Sequence, residues 1–370
     1  MPLTCWIVPY NPPGKVVDYT KIPSSENGLG SMRNGDIVFF SCPLDEFTSA
    51  DWLAIGDTTY TDFETLIPRE RRILFLMEPP ESRIYQRTYL ERFGVVVSPY
   101  DIENYTGHLI RDNPCLGWWA GASVFTKLSD VENFKVDKTK TISIISSLLG
   151  GLVGHRKRLA FLNALMEHYG TKMDYYGRGF SPVNDKIDAI APYKYHIAIE
   201  NSHLENYWTE KLADAWVGWS LPIYYGDPAI ASKIPDPAGI EIIDLNDIPA
   251  ALRQIDALLE NDVYESRLDA IEKCRKWALK KANMLERICE IITEADESVK
   301  ALPQLESGEK ICSPRSPLQD YRSISHLLHY YFVKGLPRRI RSIPRIITSI
   351  IKRRVLVKKI RRNYERITGS

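Results

Sequence analysis

Acid, amide, hydroxyl and amine groups are concentrated in residues 200–211, between an apolar run that alternates like a strand, YKYHIAI, and a segment with helical spacing. Glu200-Asn201-Ser202 ends the run, and Thr209-Glu210-Lys211 opens the helix. Free backbone N–H groups and the positive end of the helix dipole then face whatever precedes the helix. Lys211 opposes that dipole unless an anion binds in front of it. The pattern indicates an anion site, although an ordinary capped helix also explains these residues.

A glycine-rich turn is the second candidate anion site. The turn LLGGLVG, residues 148–154, follows the apolar run TISIISS and precedes the basic sequence HRKR. Gly150 and Gly151 would let a phosphate approach the backbone, and Arg156 or Arg158 would neutralise its charge. The spacing is neither that of a P-loop nor that of a dinucleotide-binding turn, so a tight turn before a solvated basic helix also fits. Both candidate sites follow strands of the same half, where they could hold one diphosphate together.

An acid in the first half is a candidate general base. Glu78 directly follows the apolar run RRILFLM and precedes two prolines. At the carboxyl end of a buried strand, desolvation would raise the pKa of its carboxyl toward a value useful for proton transfer. A solvated acid in a proline turn is the alternative interpretation.

The candidate site residues must be positioned by strands and helices, and the hydrophobic pattern predicts that these alternate along the chain. Two tandem α/β units with parallel sheets are therefore expected, with ligands bound outside the carboxyl ends of the strands. The predicted strands are Cys5–Val8, Asp36–Phe40, Arg72–Met77, Gly94–Ser98, Thr141–Ser147, Lys172–Tyr176, Tyr195–Glu200, Pro222–Tyr225 and Ile240–Asp244. The predicted helices cover residues 82–92, 155–168, 209–218, 248–260 and 263–297. We expect domains at 1–135 and 136–300, a linker at 301–335 and a tail at 336–370.

The C-terminal tail differs in charge from the rest of the chain. Residues 331–370 contain thirteen Lys or Arg and one acid, a net charge of +12, which leaves −11 for the other 330 residues. Isoleucines between 343 and 351 can share one helical stripe surrounded by these basic residues, and Pro344 would start or break the helix. An amphipathic helix on an anionic membrane surface is one interpretation. A solvated basic tail is another, and nucleic acid is the least favoured partner.

Composition places the chain among globular proteins with two domains. It has 370 residues, of which 44% are hydrophobic and 26% charged. The six cysteines are scattered without metal-binding spacing, which is typical of reduced thiols in the cytosol. The N-terminal sequence lacks the features of a signal peptide, and no window is apolar enough to span a bilayer.

The segment from Tyr193 to Tyr225 resembles the signature of the α-1,3/4-fucosyltransferases, glycosyltransferase family 10. That signature reads approximately YKF-x-L-x-F-E-N-[ST], then Y-[VI]-T-E-K, then P-[IV]-x-[YW]-G. Here YKYHIAIENS, YWTEK and LPIYYGDP follow in the same order, with His196 and Trp208 as mild departures. Weaker similarities lie in DYYGR, which contains Arg178, and in FLMEPPES, so that the resemblance covers roughly residues 70–300.

The resemblance implies a GT-B fold, in which two Rossmann-like domains face a cleft and the C-terminal one holds the nucleotide sugar. Lys211 and Arg158, with Arg156 as a rival, would contact the diphosphate of GDP-fucose. Glu78 would be the general base, with Glu81 as the alternative. The residues that would hold the ribose, the base or the fucose are Asn201, Tyr207 and Glu210.

The implied reaction is inverting transfer of fucose to a glycan hydroxyl, with an α-1,3/4 linkage to a GlcNAc- or glucose-type acceptor. No D-x-D triplet occurs, so no cofactor is expected and a divalent metal is not required. The resemblance favours a bacterial surface polysaccharide pathway, such as lipopolysaccharide synthesis or protein glycosylation, at the cytoplasmic face of the membrane. Trp118 and Trp119 would stack on a sugar or lie in the core. The alternatives are another nucleotide-sugar donor or a non-catalytic adaptor docked through the tail; the sequence leaves the oligomeric state open.

Overall fold

The computed structural model describes residues 3–8, 31–34, 36–40, 50–59, 62–126, 128–148, 153–312 and 343–368. Within these ranges the chain forms one large sheet in each half and a separate pair of short strands. Strands in both large sheets are mainly parallel and alternate with helices along the chain. This confirms the predicted fold class, α/β with two Rossmann-like units.

The N-terminal sheet has the strand order β2-β3-β1-β4-β6-β7-β8 over the described residues. Its neighbouring strands are parallel except for β2 and β3, which pair antiparallel. All residues of β4 are buried, as expected for a central strand covered on both faces. The strands are β1 (Leu3–Val8), β2 (Ser31–Asn34), β3 (Ile37–Phe40), β4 (Trp52–Gly56), β6 (Arg72–Phe75), β7 (Val95–Ser98) and β8 (His108–Arg111).

The C-terminal sheet is parallel throughout its described strands and has the order β10-β9-β11-β12-β13. Every residue of β11 except Lys194 is buried, because the strand lies in the middle of the sheet. The strands are β9 (Lys140–Ile145), β10 (Asp174–Tyr176), β11 (Tyr193–Ile199), β12 (Leu221–Tyr225) and β13 (Glu241–Ile242).

Helices flank these strands. In chain order they are α1 (Arg87–Leu90), α2 (Leu128–Asn133), α3 (Val153–Tyr169), α4 (Glu210–Val217), α5 (Ile230–Lys233), α6 (Ile248–Glu260), α7 (Leu268–Lys281), α8 (Met284–Glu294), α9 (Glu297–Lys300) and α10 (Ile343–Thr368). α4 is fixed to α7 by aromatic packing, since the Trp277 ring stacks on Trp208 at 5.1 Å and meets Trp216 edge-on at 6.1 Å. The start of α4 is therefore held in a rigid part of the C-terminal half.

Two predicted helices differ from the structure. The stretch predicted to be helical over 82–92 is helical only at Arg87–Leu90, because a turn in which Ser82 N bonds to Pro79 O precedes it. The helix predicted over 263–297 is broken at Asn283, whose Oδ1 accepts a 3.0 Å hydrogen bond from Leu285 N and so starts α8.

The break at Asn283 is where the chain returns to the N-terminal half. α8 packs against β2, and Arg287 forms an ion pair with Asp112 at 3.2 Å. Farther on, β14 (Glu309–Ile311) pairs antiparallel with β5 (Phe63–Thr65), and Glu309 meets the buried guanidinium of Arg72 at 2.7 Å. Part of the segment expected to be a linker is thus a strand of the N-terminal half.

The tail ends in a helix, α10, that lies on the C-terminal half. Pro344 is its second residue and so starts the helix instead of breaking it. Its residues from 355 onward pack against α3, with Ile360 fully buried and Leu356, Val357, Tyr364 and Ile367 partly buried beside it. The side chains of the predicted isoleucine stripe, residues 343–351, lie outside the part of the helix whose side chains are described.

Candidate active site

The carboxylate of Glu200, at the end of β11, holds the start of α4. Thr209 is the N-cap of this helix, and its backbone N–H donates a 2.7 Å hydrogen bond to Glu200 Oε1. The Thr209 hydroxyl donates to the same carboxylate at 2.7–2.9 Å. Glu200 is 1% exposed, and burial raises the pKa of its carboxyl. The Glu200 carboxylate therefore links the end of β11 to the start of α4.

Lys211 is balanced by carboxylates already present in the chain. Its Nζ lies 3.1 Å from Oε1 of Glu210 and 3.5 Å from Oε2 of Glu200. Burial by itself lowers the pKa of Lys211, but the two acids outweigh this and raise it, so the side chain is a cation at neutral pH. The unfavourable position of a cation at the start of a helix is thus offset within the protein, and a bound anion is not needed to explain it.

Glu210 stays ionised in a buried position. Burial raises the pKa of its carboxyl, but Lys211 and Lys186 outweigh that effect and bring the pKa to about 2. Lys186 lies 3.6 Å from Glu210 and 2.6 Å from Asp214, one turn farther along α4. The two carboxylates in the first two turns of α4 are therefore each paired with a lysine.

Arg158 approaches the same place from α3. Its Nη1 donates a 2.7 Å hydrogen bond to Oδ1 of Asn201, and its Nη2 lies 3.5 Å from Ser147 O. Burial lowers the pKa of the guanidinium to about 10, which leaves it charged at neutral pH. A Cβ atom on Gly154, at the start of α3, would lie 1.8 Å from Asn201 O, so only glycine permits this approach of helix to loop.

Arg158, Glu210 and Lys211 line a cavity of about 470 Å³. It is bounded by the carboxyl ends of β9 and β11, by α3 and α4 and by the segment after β10. The other lining residues are Trp119, Ile144, Ile145, Ser146, Ser147, Gly177, Arg178, Lys186, Ile190, His196, Ile197, Ala198, Ile199 and Asp214. Four cationic side chains, those of Arg158, Arg178, Lys186 and Lys211, thus line a concave space at the strand ends, which is where a parallel sheet binds ligands.

The two candidate bases approach this region from the N-terminal half. Glu78, just after β6, is half-buried; burial raises the pKa of its carboxyl, while Lys211 and a hydrogen bond from Ser82 lower it. Because the charges of Lys211 and Glu210 both affect the pKa of Glu78, this carboxyl lies within electrostatic range of the start of α4. Glu81 is exposed, and its Oε2 accepts a 2.9 Å hydrogen bond from the Ser202 hydroxyl. Of the two acids, Glu78 is the partly desolvated one.

The remaining predicted residues take different positions. Tyr207 is buried and, like Asn201, is not among the residues that line the cavity. Burial, with the nearby charges of Glu78 and Glu200, raises the pKa of its hydroxyl. Arg156 is exposed and is not among the residues that line the cavity, so Arg158 is the arginine that the structure brings to Asn201. Gly150 and Gly151 lie outside the described residues.

Several cavity residues were not predicted as donor-site residues, and four of them make informative contacts: Asp214, Lys186, Trp119 and His196. Asp214 accepts hydrogen bonds from the backbone N–H groups of Trp119 and Ala120 at 2.6 and 2.8 Å, and Lys186 Nζ lies 4.7 Å from the Trp119 ring centre. Asp214 stands four residues after Glu210 on the buried face of α4, and that spacing is the signal that could have revealed it. Trp119 proves to line the cavity, whereas Trp118 is buried in the core.

His196 is the fourth of these residues. The Ser143 hydroxyl donates to Ala189 O at 2.7 Å and lies 2.8 Å from Nδ1 of His196, so Nδ1 carries the proton shared with Ser143. Burial lowers the pKa of the imidazole to about 3, with Lys186 and Lys138 acting in the same direction. His196 therefore presents an uncharged ring to the cavity.

Part of the chain is similar to known proteins. Residues 136–307 match the sequence model of glycosyltransferase family 10 (fucosyltransferase), C-terminal part. The matched segment is similar to this family, which confirms the recognition made from the sequence. It contains Arg158, Asn201, Tyr207, Glu210 and Lys211. The chain therefore carries a segment similar to the glycosyltransferases of this family.

Individual relatives match shorter parts of the chain. A fucosyltransferase-like protein of Arabidopsis thaliana is 29% identical over 123 residues, 32% of this chain and 24% of the relative. An alpha-(1,3)-fucosyltransferase of Helicobacter pylori is 29% identical over 96 residues, 24% of this chain and 20% of the relative. The matched segments thus span a quarter or less of these relatives. A crystal structure of an alpha1,3-fucosyltransferase with GDP is 16% identical, with a TM-score of 0.48 over 82% of this chain and 93% of that one.

The described part of the chain contains neither a metal-binding cluster nor a membrane-spanning helix. Among these residues, no cluster of three His, Cys, Asp or Glu has the geometry to hold a metal ion. In the same part of the chain, no helix is both long and apolar enough to cross a bilayer.

Proposed function

We propose that this protein is an inverting glycosyltransferase that moves fucose from GDP-fucose to a hydroxyl group of an acceptor glycan. One relationship carries the proposal: the half-buried Glu78 carboxyl lies within electrostatic range of Lys211, in a chain whose residues 136–307 match glycosyltransferase family 10. Inversion needs a base on one side of the anomeric carbon and stabilisation of the leaving group on the other. Glu78 and the Lys211–Arg158 pair supply these two functions from opposite walls of the cleft.

The transfer proceeds in a single displacement. Glu78 takes the proton of the acceptor hydroxyl while that oxygen forms a bond to the anomeric carbon of fucose. The bond from this carbon to the diphosphate oxygen breaks, and its electron pair leaves with GDP. Lys211 and Arg158 stabilise the negative charge on the departing diphosphate, with the positive end of the α4 dipole.

The neighbouring residues hold the rest of the donor. Asn201, which is oriented by Arg158, and the ionised Glu210 accept hydrogen bonds from ribose or fucose hydroxyls. Tyr207 lies beneath them and supports this wall of the site. No metal is used, because the side-chain cations neutralise the diphosphate.

The acceptor is a GlcNAc- or glucose-type sugar joined through an α-1,3 or α-1,4 linkage, as part of bacterial surface glycan synthesis. The name of the Helicobacter pylori relative, an alpha-(1,3)-fucosyltransferase, supports this linkage class.

Incubation with GDP-fucose and an oligosaccharide that ends in GlcNAc should release GDP and give a fucosylated product. Nuclear magnetic resonance of that product should show the anomeric configuration opposite to that of the donor; a retained configuration would contradict the mechanism.

The protein works at the cytoplasmic face of a membrane, where its tail contacts anionic lipid. The apolar side of α10 from residue 355 onward is occupied by α3, so that this part of the helix turns a basic side outward. Lys358, Arg361, Arg362 and Arg366 are exposed on that side. The attraction is therefore electrostatic over this stretch and weakens as salt is added.

Charge reversal tests this docking better than deletion, since deletion would also uncover α3. Changing Arg361, Arg362 and Arg366 to Glu should abolish co-flotation with phosphatidylglycerol vesicles. The matched control changes the exposed Lys273, Lys276 and Lys280 of α7 to Glu, which alters net charge by the same amount and should leave flotation unchanged. Equal flotation of the two variants would refute docking through the tail.

A further inference from the structure

The Gly177–Ser181 segment, which follows β10, is a tight turn that forms one wall of the cavity. Gly177 and Arg178 line the cavity. The turn is closed by hydrogen bonds from Phe180 N to Gly177 O at 2.9 Å and from Gly177 N to Ser181 O at 3.0 Å. Gly177 and Gly179 both have positive φ, 106° and 96°, which glycine adopts without strain.

This turn also touches the segment that leads to α3. Ser146 N bonds to Tyr176 O at 2.9 Å, and Leu148 N bonds to Arg178 O at 3.3 Å. A Cβ atom on Gly177 would lie 2.2 Å from Ser146 O. Ser146 and Ser147 are cavity residues too, so the turn and the end of β9 form one continuous surface of the site.

The tail helix holds the far side of the same turn. The hydroxyl groups of Tyr364 and Ser181 share a 2.7 Å hydrogen bond, and the Tyr364 ring packs edge-on against Phe180 at 5.1 Å. Tyr364 is thus bound to two consecutive residues that close the turn on the side opposite the cavity.

Other contacts of α10 fix the helix to α3, which carries Arg158. Asn363 donates a 3.2 Å hydrogen bond to Oδ1 of Asn163, and Lys359 forms a 2.6 Å ion pair with Glu167. Ile360 is fully buried in the same interface. One helix therefore contacts both elements that bring arginines to the cavity, α3 with Arg158 and the turn with Arg178.

We propose that Tyr364 is a positioning residue for the donor site: through Ser181 and Phe180 it holds the Gly177–Ser181 turn, and with it Arg178, against the space that the nucleotide diphosphate occupies. This inference rests on the proposed function, because it assigns the cavity to that ligand. It also gives the tail a role in donor binding that is independent of any membrane.

A double-mutant cycle on GDP binding tests this role. The Tyr364→Phe variant keeps the ring and loses only the hydroxyl, while Ser181→Ala removes its partner. Each variant should weaken the calorimetric Kd for GDP about 3- to 10-fold, the range expected for one hydrogen bond. The double variant should bind GDP with the same affinity as the single variant that binds it more weakly, because both substitutions remove the same hydrogen bond. Glu365→Gln, on the exposed side of the same helix, should bind GDP like the wild type.

Two further readouts separate positioning from general stability. In Tyr364→Phe, amide exchange over Gly177–Ser181 should become faster while exchange over α4 stays unchanged, and kcat at saturating GDP-fucose should be preserved while KM rises. Unchanged GDP binding in both single variants, or losses that simply multiply in the double variant, would overturn the inference and leave the proposed function intact. Failure of the wild type to bind GDP would instead overturn the proposed function, and the inference with it.

Discussion

Arg158 Nη1, on α3, donates a 2.7 Å hydrogen bond to Oδ1 of Asn201, in the loop after β11. The contact joins the two candidate anion sites that the sequence places more than forty positions apart. It also orients the Asn201 side chain beside the start of α4. A cation from one helix and the polar start of another therefore form one surface, to which Lys211 contributes the second positive charge.

Removing Lys211 should abolish turnover. We expect Lys211→Ala to lower kcat by roughly 100-fold or more, because a preorganised charge at the leaving group is lost. The variant should also weaken GDP binding, and the pKa of Glu210 should rise because Lys211 is the main group that lowers it. Steady-state kinetics and circular dichroism check both activity and folding. Lys194→Ala, which removes an amine that is paired with Asp262 and does not line the cavity, is the control. Wild-type activity in Lys211→Ala would refute the diphosphate role.

Two neighbouring variants decide which acid is the base. Glu78→Gln should lower kcat by about 100- to 10,000-fold, the range for loss of a general base, and leave the Kd for GDP within about 3-fold. Glu81→Gln should have a small effect, because Glu81 is exposed and bonded to Ser202. Single-turnover rates with saturating donor make the comparison. The opposite order of effects would transfer the role to Glu81.

The rate should depend on pH through Glu78. Burial raises the pKa of this carboxyl above its ordinary value of 4.5, and a base acts only when ionised. The value of kcat/KM should therefore rise with pH through a midpoint above 4.5, in a profile measured from about pH 4 to pH 8. The residual activity of Glu78→Gln should lack this rise. An identical acidic limb in that variant would assign the titration to another group.

Gly154 should tolerate no side chain. Because an added Cβ would lie 1.8 Å from Asn201 O, Gly154→Ala must displace either α3 or the loop and so separate Arg158 from Asn201. We expect roughly a 10-fold or greater loss of GDP affinity and a lower Tm, as for other forced overlaps. Gly170→Asn at the other end of α3 is the control, since no atom lies within 4 Å of its Cβ position and Asn accepts the positive φ of 53°. Equal GDP binding by both variants would show that the close approach is not required.

The strand and the helix that flank residues 200–209 could be predicted from the sequence, for a physical reason. Strand alternation up to Ile199 and the helical spacing after Thr209 are local patterns, so the positions of Asn201, Glu210 and Lys211 follow from them. The contact of Lys211 with Glu200 was not foreseen, because Glu200 looked like part of an exposed turn, whereas it is buried and accepts a hydrogen bond from Thr209, the N-cap of α4.

Contacts between distant segments could not be predicted in this way. Nothing in the sequence around Lys186 or Trp119 indicates that both meet Asp214, because that contact depends on how three separate segments pack. The missed strand β4 is a short run, WLAIG, whose Ala and Gly have weak β-propensity, and only its central place in the sheet makes it a strand. From residue 355 onward the apolar side of the tail helix packs against α3, whereas the predicted isoleucine stripe at 343–351 lies outside the described side chains.

A titration of the wild-type protein with nucleotide sugars tests the central claim most directly, since it needs no knowledge of the acceptor. Tm is measured with GDP, GDP-fucose, GDP-mannose, UDP-glucose and UDP-GlcNAc, each at about 100 times a micromolar Kd, where binding adds roughly 2.7 kcal/mol to stability. GDP and GDP-fucose should raise Tm, and this shift should be lost in Lys211→Ala. Stabilisation by a UDP-sugar without any by GDP-fucose would contradict the account.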